Sequence, residues 1–173
     1  MAGHQAASSQ AKPLYTAEQK RLRDGSVWTL VQGILAPVQF LVFLVSLVLV
    51  LRYLSTGEGQ SAAAISVVIK TLTLYTIMIT GAIWEKAVFG VYLFAEGFYW
   101  EDMVSMLVLA LHTTYLFALY LDWMDARALM LLALAAYAAY VVNAAQFVLK
   151  LRAARLLGTA TATSASGAME AVQ

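Results

Sequence analysis

The chain has 173 residues, of which 62% are hydrophobic and 12% charged, with a mean hydropathy of +0.75. A soluble domain is typically about half apolar and a quarter charged, so the composition excludes general disorder and argues against a water-soluble globule. A net charge of +1 gives no reason to expect a nucleic-acid partner, and the absence of cysteine removes disulfides, thiolate metal sites and cysteine nucleophiles.

In chain order, residues 1–26 form a polar N-terminal segment. It has no apolar core of the kind a cleavable signal peptide carries. Residues 1–12 read as disordered, while Thr16 and Gln19 have the capping-box spacing, which predicts a short helix lying on a membrane surface. Four apolar blocks follow, at 28–51, 62–84, 103–121 and 128–149, each near the roughly 20 residues that a bilayer-crossing helix needs. The first contains FLVFLVSLVLVL (40–51), with no charge and no polar face, which a soluble helix would show. Lipid offers no partner for free backbone groups, so such blocks must be helical. Residues 157–173 are rich in Ala, Thr, Ser and Gly and read as a disordered tail. The predicted fold is all-α: an integral membrane four-helix up-down bundle spanning residues 27–156.

Basic residues orient it. One side would carry Lys12, Lys20, Arg21, Arg23, Lys86, Lys150, Arg152 and Arg155, against Arg52 and Arg127 opposite, which places both termini and the loop between the second and third spans in the cytoplasm. Glu85, Glu96, Glu101 and Asp102 then face the same side.

Polar residues inside a span are costly and tend to face a bundle interior. Each span has a stripe of them at helical spacing. The first carries Gln32, Gln39 and Ser46; the second Lys70, Thr73, Thr80 and Trp84; the third Glu101, Ser105, His112 and Tyr115; the fourth Asn143, Gln146 and Lys150. These stripes can line one bundle or meet across a dimer. Asn143 and the hydroxyls also read as plain inter-helix hydrogen-bond partners. Lys70 reads equally as half of a structural pair or as a functional charge, and His112 as a bonded core group or a ligand. Span-end aromatics such as Trp84 and Trp100 suit an interface belt.

The connector between the second and third spans, residues 84–102, contains two Trp-Glu pairs, Trp84-Glu85 and Trp100-Glu101. They close neighbouring helices at one depth, which would gather Glu85, Glu101 and Asp102 beside aromatic surfaces. Carboxylates crowded there have pKa values pushed apart, suiting one as acid and another as base. The plainer reading is a solvated rim with Lys86 as counter-ion. The aromatic connector would also make a wall for a flat, partly apolar substrate. Glycine-rich nucleotide loops, HExxH and nucleophile elbows are missing. A di-metal site of these carboxylates with His112 is disfavoured, because His112 lies roughly 15 Å along the helix from Glu101.

Several stretches carry a family resemblance: SVWTLVQ (26–32), APVQF (36–40), KTLTLY (70–75), GAIWEK (81–86), WEDMVSM (100–106), ALHT (110–113), AAYVVN (138–143) and QF (146–147). Together they resemble the 3-vinyl bacteriochlorophyllide hydratase family, 2-vinyl in older nomenclature, over roughly residues 15–156, with no departure at the polar positions above. The resemblance implies addition of water to the C3 vinyl group of a magnesium chlorin or bacteriochlorin, giving the 3-(1-hydroxyethyl) pigment on the way to bacteriochlorophyll a. It implies no redox cofactor, since the magnesium belongs to the substrate. The implied partners are the chlorophyllide or bacteriochlorophyllide, water and lipid of a bacterial inner membrane; a homo-oligomer or contact with other pigment-biosynthesis enzymes stays open. Such a reaction needs a positioned acid, a base for water and a platform for the ring. Glu85, Glu101 and Asp102 are the expected catalytic group, with Glu101 as proton donor and Glu85 or Asp102 orienting water. His112 (as an axial ligand of the substrate magnesium), Lys70, Trp84, Trp100 and Asn143 are the expected substrate contacts. A non-catalytic pigment-binding or assembly protein and a small proton-relay transporter, using Lys70, His112 and Glu101, are the competing classes.

Overall fold

The computed structural model describes the backbone of residues 14–170 and the side chains of residues 14–156. The expected disorder of residues 1–12 lies outside the described residues. Among the described residues, five helices follow in order: α1 (Ala17–Gly25), α2 (Val27–Thr56), α3 (Gln60–Phe89), α4 (Tyr99–Tyr120) and α5 (Ala126–Glu170). Four of them are long and apolar enough to cross a membrane, over Val27–Thr56, Gln60–Phe89, Tyr99–Tyr120 and Ala126–Leu156. A 30-residue helix is about 45 Å long, more than the roughly 30 Å hydrocarbon core, so α2 and α3 reach beyond it.

Local chemistry sets the boundaries. Thr16 and Gln19 form the reciprocal capping box of α1, and Ser26 accepts from the Trp28 amide to start α2. Gly57 (φ 77°) and Gly59 (φ 82°) turn the chain between α2 and α3, a conformation in which any side chain would be strained. Gly90 (φ 80°) ends α3 in the same way. The connector expected over 84–102 is shorter than its sequence suggests. Helix α3 continues to Phe89 and α4 begins at Tyr99, so Glu85, Glu101 and Asp102 stand on helix ends rather than in a loop. At the other extreme, α5 is drawn through to Glu170, into the stretch read from sequence as a disordered tail; alanines recurring through it favour helix continuation.

Helices α2 and α3 pack as one pair and α4 and α5 as the other. Gln32 Nε2 donates to Thr80 Oγ1 at 2.8 Å, and Ser46 and Ser66 bond at 2.7 Å. Asn143 Nδ2 donates to Ser105 Oγ at 2.8 Å, and Lys150 Nζ to Glu101 Oε2 at 2.5 Å. Rising numbers on one helix meet falling numbers on its partner in both pairs. Across the pairs, Ser46 bonds Tyr137 at 2.5 Å and Tyr75 bonds Thr113 at 2.8 Å. The core between them includes Phe43, Val50, Val67, Val108, Tyr115, Met130, Ala133 and Tyr137, whereas Phe40, Val45, Val48, Ile79, Phe117 and Val148 face outward. An apolar exterior around buried Gln39, Lys70, His112 and Asn143 is the arrangement a lipid solvent selects. The polar stripes thus meet inside a single chain.

Candidate functional site

At the end of the bundle where α1, the α3–α4 connector and Lys150 meet, three carboxylates are gathered. Glu85 stands in the penultimate turn of α3, and Glu101 and Asp102 in the first turn of α4, with relative exposures of 5%, 7% and 4%. The first turn of a helix favours negative charge through its unpaired amides and the macrodipole. Residues 90–98 fold over the group. Phe94 takes a left-handed backbone (φ 61°), uncommon for a bulky residue, and the turn aims two successive amides at the carboxylates. The Phe94 N–H donates to Asp102 Oδ2 at 2.7 Å, and the Ala95 N–H to Glu85 Oε2 at 3.3 Å.

These successive amides hold the Asp102 and Glu85 carboxyls as neighbours. Glu101 differs from this pair. It carries the ion pair with Lys150, whose Nζ also lies 5.3 Å from the Phe98 ring centroid. The counter-ion expected from sequence, Lys86, is occupied elsewhere: its Nζ donates to Gly90 O at 2.7 Å and lies 5.3 Å from the Tyr92 ring centroid.

Two sets of aromatics surround the carboxylates. Inside, Phe98 (1% exposed) stacks on Phe147 and meets Trp84 and Phe89 edge-on, with centroids 5.7–5.9 Å apart. Tyr15 stacks on Phe89 at 5.7 Å under the Arg23 guanidinium, and Leu14 packs on Gly97, where an added Cβ would lie 3.0 Å from Leu14 Cδ1. Trp84 Nε1 donates to Thr29 Oγ1 at 2.9 Å, and Thr29 donates to Arg23 O at 2.6 Å. Trp84, expected as a substrate contact, is half-buried with its indole N–H bonded to Thr29. Outside, Tyr92, Phe94, Tyr99 and Trp100 are 61%, 40%, 46% and 70% exposed and form an aromatic ridge beside the carboxylates.

The remaining candidates lie deeper. Asn143 is held by Ser105, one turn along α4 from Glu101. His112 is eleven residues from Glu101, about 16 Å along α4, and Lys70 is fifteen from Glu85, about 22 Å along α3. Both are fully buried. The Lys70 Nζ lies 4.0 Å from the Tyr140 ring centroid, and His112 Nδ1 is 2.8 Å from Val108 O, which puts the ring proton on Nδ1 and a lone pair on Nε2. Neither belongs to the carboxylate group, and a macrocycle would reach the enclosed His112 only by parting the helix pairs. Sequence reasoning missed the paired amides of Phe94 and Ala95, the buried Phe98 and the Leu14–Tyr15 latch. Gly90 and Gly97, bracketing the connector, were the available signal for a turn that packs closely.

Comparison with known proteins identifies the family. Residues 15–153 match the sequence model of the family described as 2-vinyl bacteriochlorophyllide hydratase. The chain belongs to this family. It is 64% identical over 145 residues to the 2-vinyl bacteriochlorophyllide hydratase of Rhodobacter capsulatus, covering 84% of each chain. It is also 64% identical over 143 residues to the enzyme of the same name from Cereibacter sphaeroides, covering 83% of this chain and 89% of that one. No solved structure matches. The family match includes all three carboxylates, Lys150, the aromatic ridge and Tyr15.

Proposed function

We propose that the protein is the hydratase that adds water to the C3 vinyl group of chlorophyllide a or 3-vinyl bacteriochlorophyllide a, giving the 3-(1-hydroxyethyl) pigment in bacteriochlorophyll a biosynthesis. Family membership carries the reaction. The observation that supports its location is the buried Glu85 and Asp102 carboxyls, held by successive backbone amides beside the Glu101–Lys150 ion pair, under an exposed aromatic ridge.

Hydration in this sense adds a proton to the terminal vinyl carbon, and the macrocycle spreads the resulting positive charge. Water then attacks the adjacent carbon and loses a proton. The contacts support one division of acid and base roles. Glu101, ion-paired with Lys150, is the carboxylate suited to act as the base for water. We assign the proton to be delivered to Glu85 and Asp102, because two carboxyls crowded in one buried site favour keeping one proton. Asp102 receives the shorter amide bond, 2.7 against 3.3 Å, and stands at a helix N-terminus, so it is the better-stabilised anion and Glu85 the donor. This reverses the sequence expectation that Glu101 gives the proton. The proton that Glu101 takes from water returns to the pair and closes the cycle. Trp100 and its neighbours form the platform for the flat ring, and the pigment's own magnesium needs no ligand from the bundle interior.

The proposed setting is an up-down bundle in a bacterial inner membrane, with the carboxylate end and both termini cytoplasmic. Lys20, Arg21, Arg23, Lys86, Lys150, Arg152 and Arg155 cluster towards that end against Arg52 and Arg127 at the other. The test is incubation of membranes holding the protein with a 3-vinyl chlorophyllide. A pigment mass gain of one water is expected, abolished or strongly slowed by Glu85→Gln, Glu101→Gln or Asp102→Asn. Near-normal turnover in all three variants refutes the site, and pigment binding without mass gain refutes the reaction.

A further inference from the structure

Above the carboxylates the bundle interior holds a line of polar groups that the reaction scheme does not use. Six buried side-chain atoms have no hydrogen-bond partner within the chain among the described residues: Gln146 Oε1, Asn143 Oδ1, Gln39 Oε1, Lys70 Nζ, His112 Nε2 and Tyr115 OH. They are ordered along the axis. On α5, Lys150, Gln146, Asn143 and Tyr140 follow at intervals of three or four residues, and Tyr140 carries the Lys70 ammonium on its ring. On α4, Glu101, Ser105, His112 and Tyr115 share one face, and Asn143 Nδ2 pins that face to α5 through Ser105. Gln39 lies seven residues from Ser46 and Asn143 six from Tyr137, the bonded pair that joins α2 to α5, so both amides sit at one depth. The line begins at the Glu101–Lys150 pair and runs about 20 Å inward.

The chemistry of these atoms selects their occupant. Three amide oxygens and an imidazole lone pair ask for donors, the Lys70 amino group has hydrogens to donate, and a phenol takes either. A metal cation would find no carboxylate among these atoms, and an anion would be repelled by the amide oxygens. Water alone both donates and accepts. Hydrocarbon outside the helices cannot satisfy these groups. Proteins hold about one buried water per 27 residues, which for a chain of this length comes to about six.

We propose that the interior of the bundle is a file of bound water, open at the carboxylates and closed near Tyr115. It supplies the water that is added when the flat pigment covers the mouth. The supply role rests on the proposed hydratase reaction; the file does not.

The experiment uses the full chain in lipid bilayers. The sequence has only two histidines, His4 and His112, so ring-15N-histidine labelling of His4→Gln isolates one signal. In solid-state NMR, magnetisation starting on water should reach the His112 ring in the first milliseconds. Transfer only from lipid chains overturns the file, whatever the activity. For the supply role, Gln39→Leu and Asn143→Leu should cut that transfer and lower kcat about tenfold or more with an unchanged KM for pigment. Asn143→Ser, small and polar, should restore both, which a packing defect would not. Transfer lost with kcat intact overturns the supply role alone. A wild-type protein that adds no water to pigment overturns the hydratase reading while leaving the file decided by NMR.

Discussion

Replacing Lys150 by Met isolates the ion pair on which the base depends. The change keeps the stem of the side chain, and with it much of the packing on Phe98, but removes the ammonium 2.5 Å from Glu101 Oε2. Glu101 is then a buried carboxylate without a cation. Breaking a buried pair by removing one partner costs about 3–5 kcal/mol. Here the Lys150 side chain is 27% exposed against 9% for Glu101, so water offsets part of the loss and about 2–3 kcal/mol is expected. For a chain of this size that corresponds to a fall of roughly 4–12 °C in the unfolding midpoint. Thermal unfolding in lipid nanodiscs reads the stability, and pigment turnover reads the base. Glu101→Gln combined with Lys150→Met removes both charges and should regain most of the stability, since an uncharged pair of similar volume leaves nothing buried and unpaired. It should regain no turnover, because no base is left. A Lys150→Met protein with native midpoint and native turnover refutes the argument, and so does a double variant that turns over pigment.

Three further outcomes follow from named contacts. Trp100→Ala removes a ring that is 70% exposed, so the midpoint should not move, while loss of a stacking surface worth about 0.5–1.5 kcal/mol should raise KM a few-fold to roughly tenfold. Tyr15→Ala should cost about 1–2 kcal/mol by deleting the stack on Phe89 and the contact with Arg23, and should speed tryptic cleavage after Arg21 and Arg23; Tyr15→Phe should keep most of both. Gly90→Ala forces a side chain into the left-handed region at about 1–2 kcal/mol and shifts the start of the connector, so kcat should fall more than the midpoint alone explains. A normal kcat in that variant would mean that the Phe94 and Ala95 amides are held independently of the α3 end.

Much of the fold was legible because lipid simplifies the code. Blocks of uninterrupted apolar residues can only be helices, and polar residues that interrupt them at helical spacing must face one another, as Ser46 does with Ser66 and Asn143 with Ser105. The carboxylate group was legible for a related reason, since helix-end residues flanking one short connector have to meet. Its electrostatics were not. Lys86 follows Glu85 in sequence, but neighbours on a helix point about 100° apart, so Lys86 turns to Gly90 and Tyr92 while Lys150, far away in sequence, reaches Glu101. Nor does sequence reveal that Phe94 would adopt φ 61°, a conformation usually marked by Gly or Asn. Trp84 illustrates a third limit: a span-end tryptophan fits an interface belt, yet its indole N–H is taken by Thr29.

Depth separates the two sets of polar residues by role. Eleven residues of α4 put His112 about 16 Å from Glu101, beyond reach of any group bound at the carboxylates. Yet leaving the six interior atoms unsatisfied would cost about 1–3 kcal/mol each, together comparable with the whole stability of a typical domain, about 5–15 kcal/mol. A bundle held together only by packing would replace such residues with Leu or Ala at little loss. Their presence along one line ending at the carboxylates is therefore more economically explained by what the line carries than by the packing it provides. This supports the proposed division, with the macrocycle on the aromatic ridge outside, the proton at Glu85 and Asp102 at the mouth, and water in the interior.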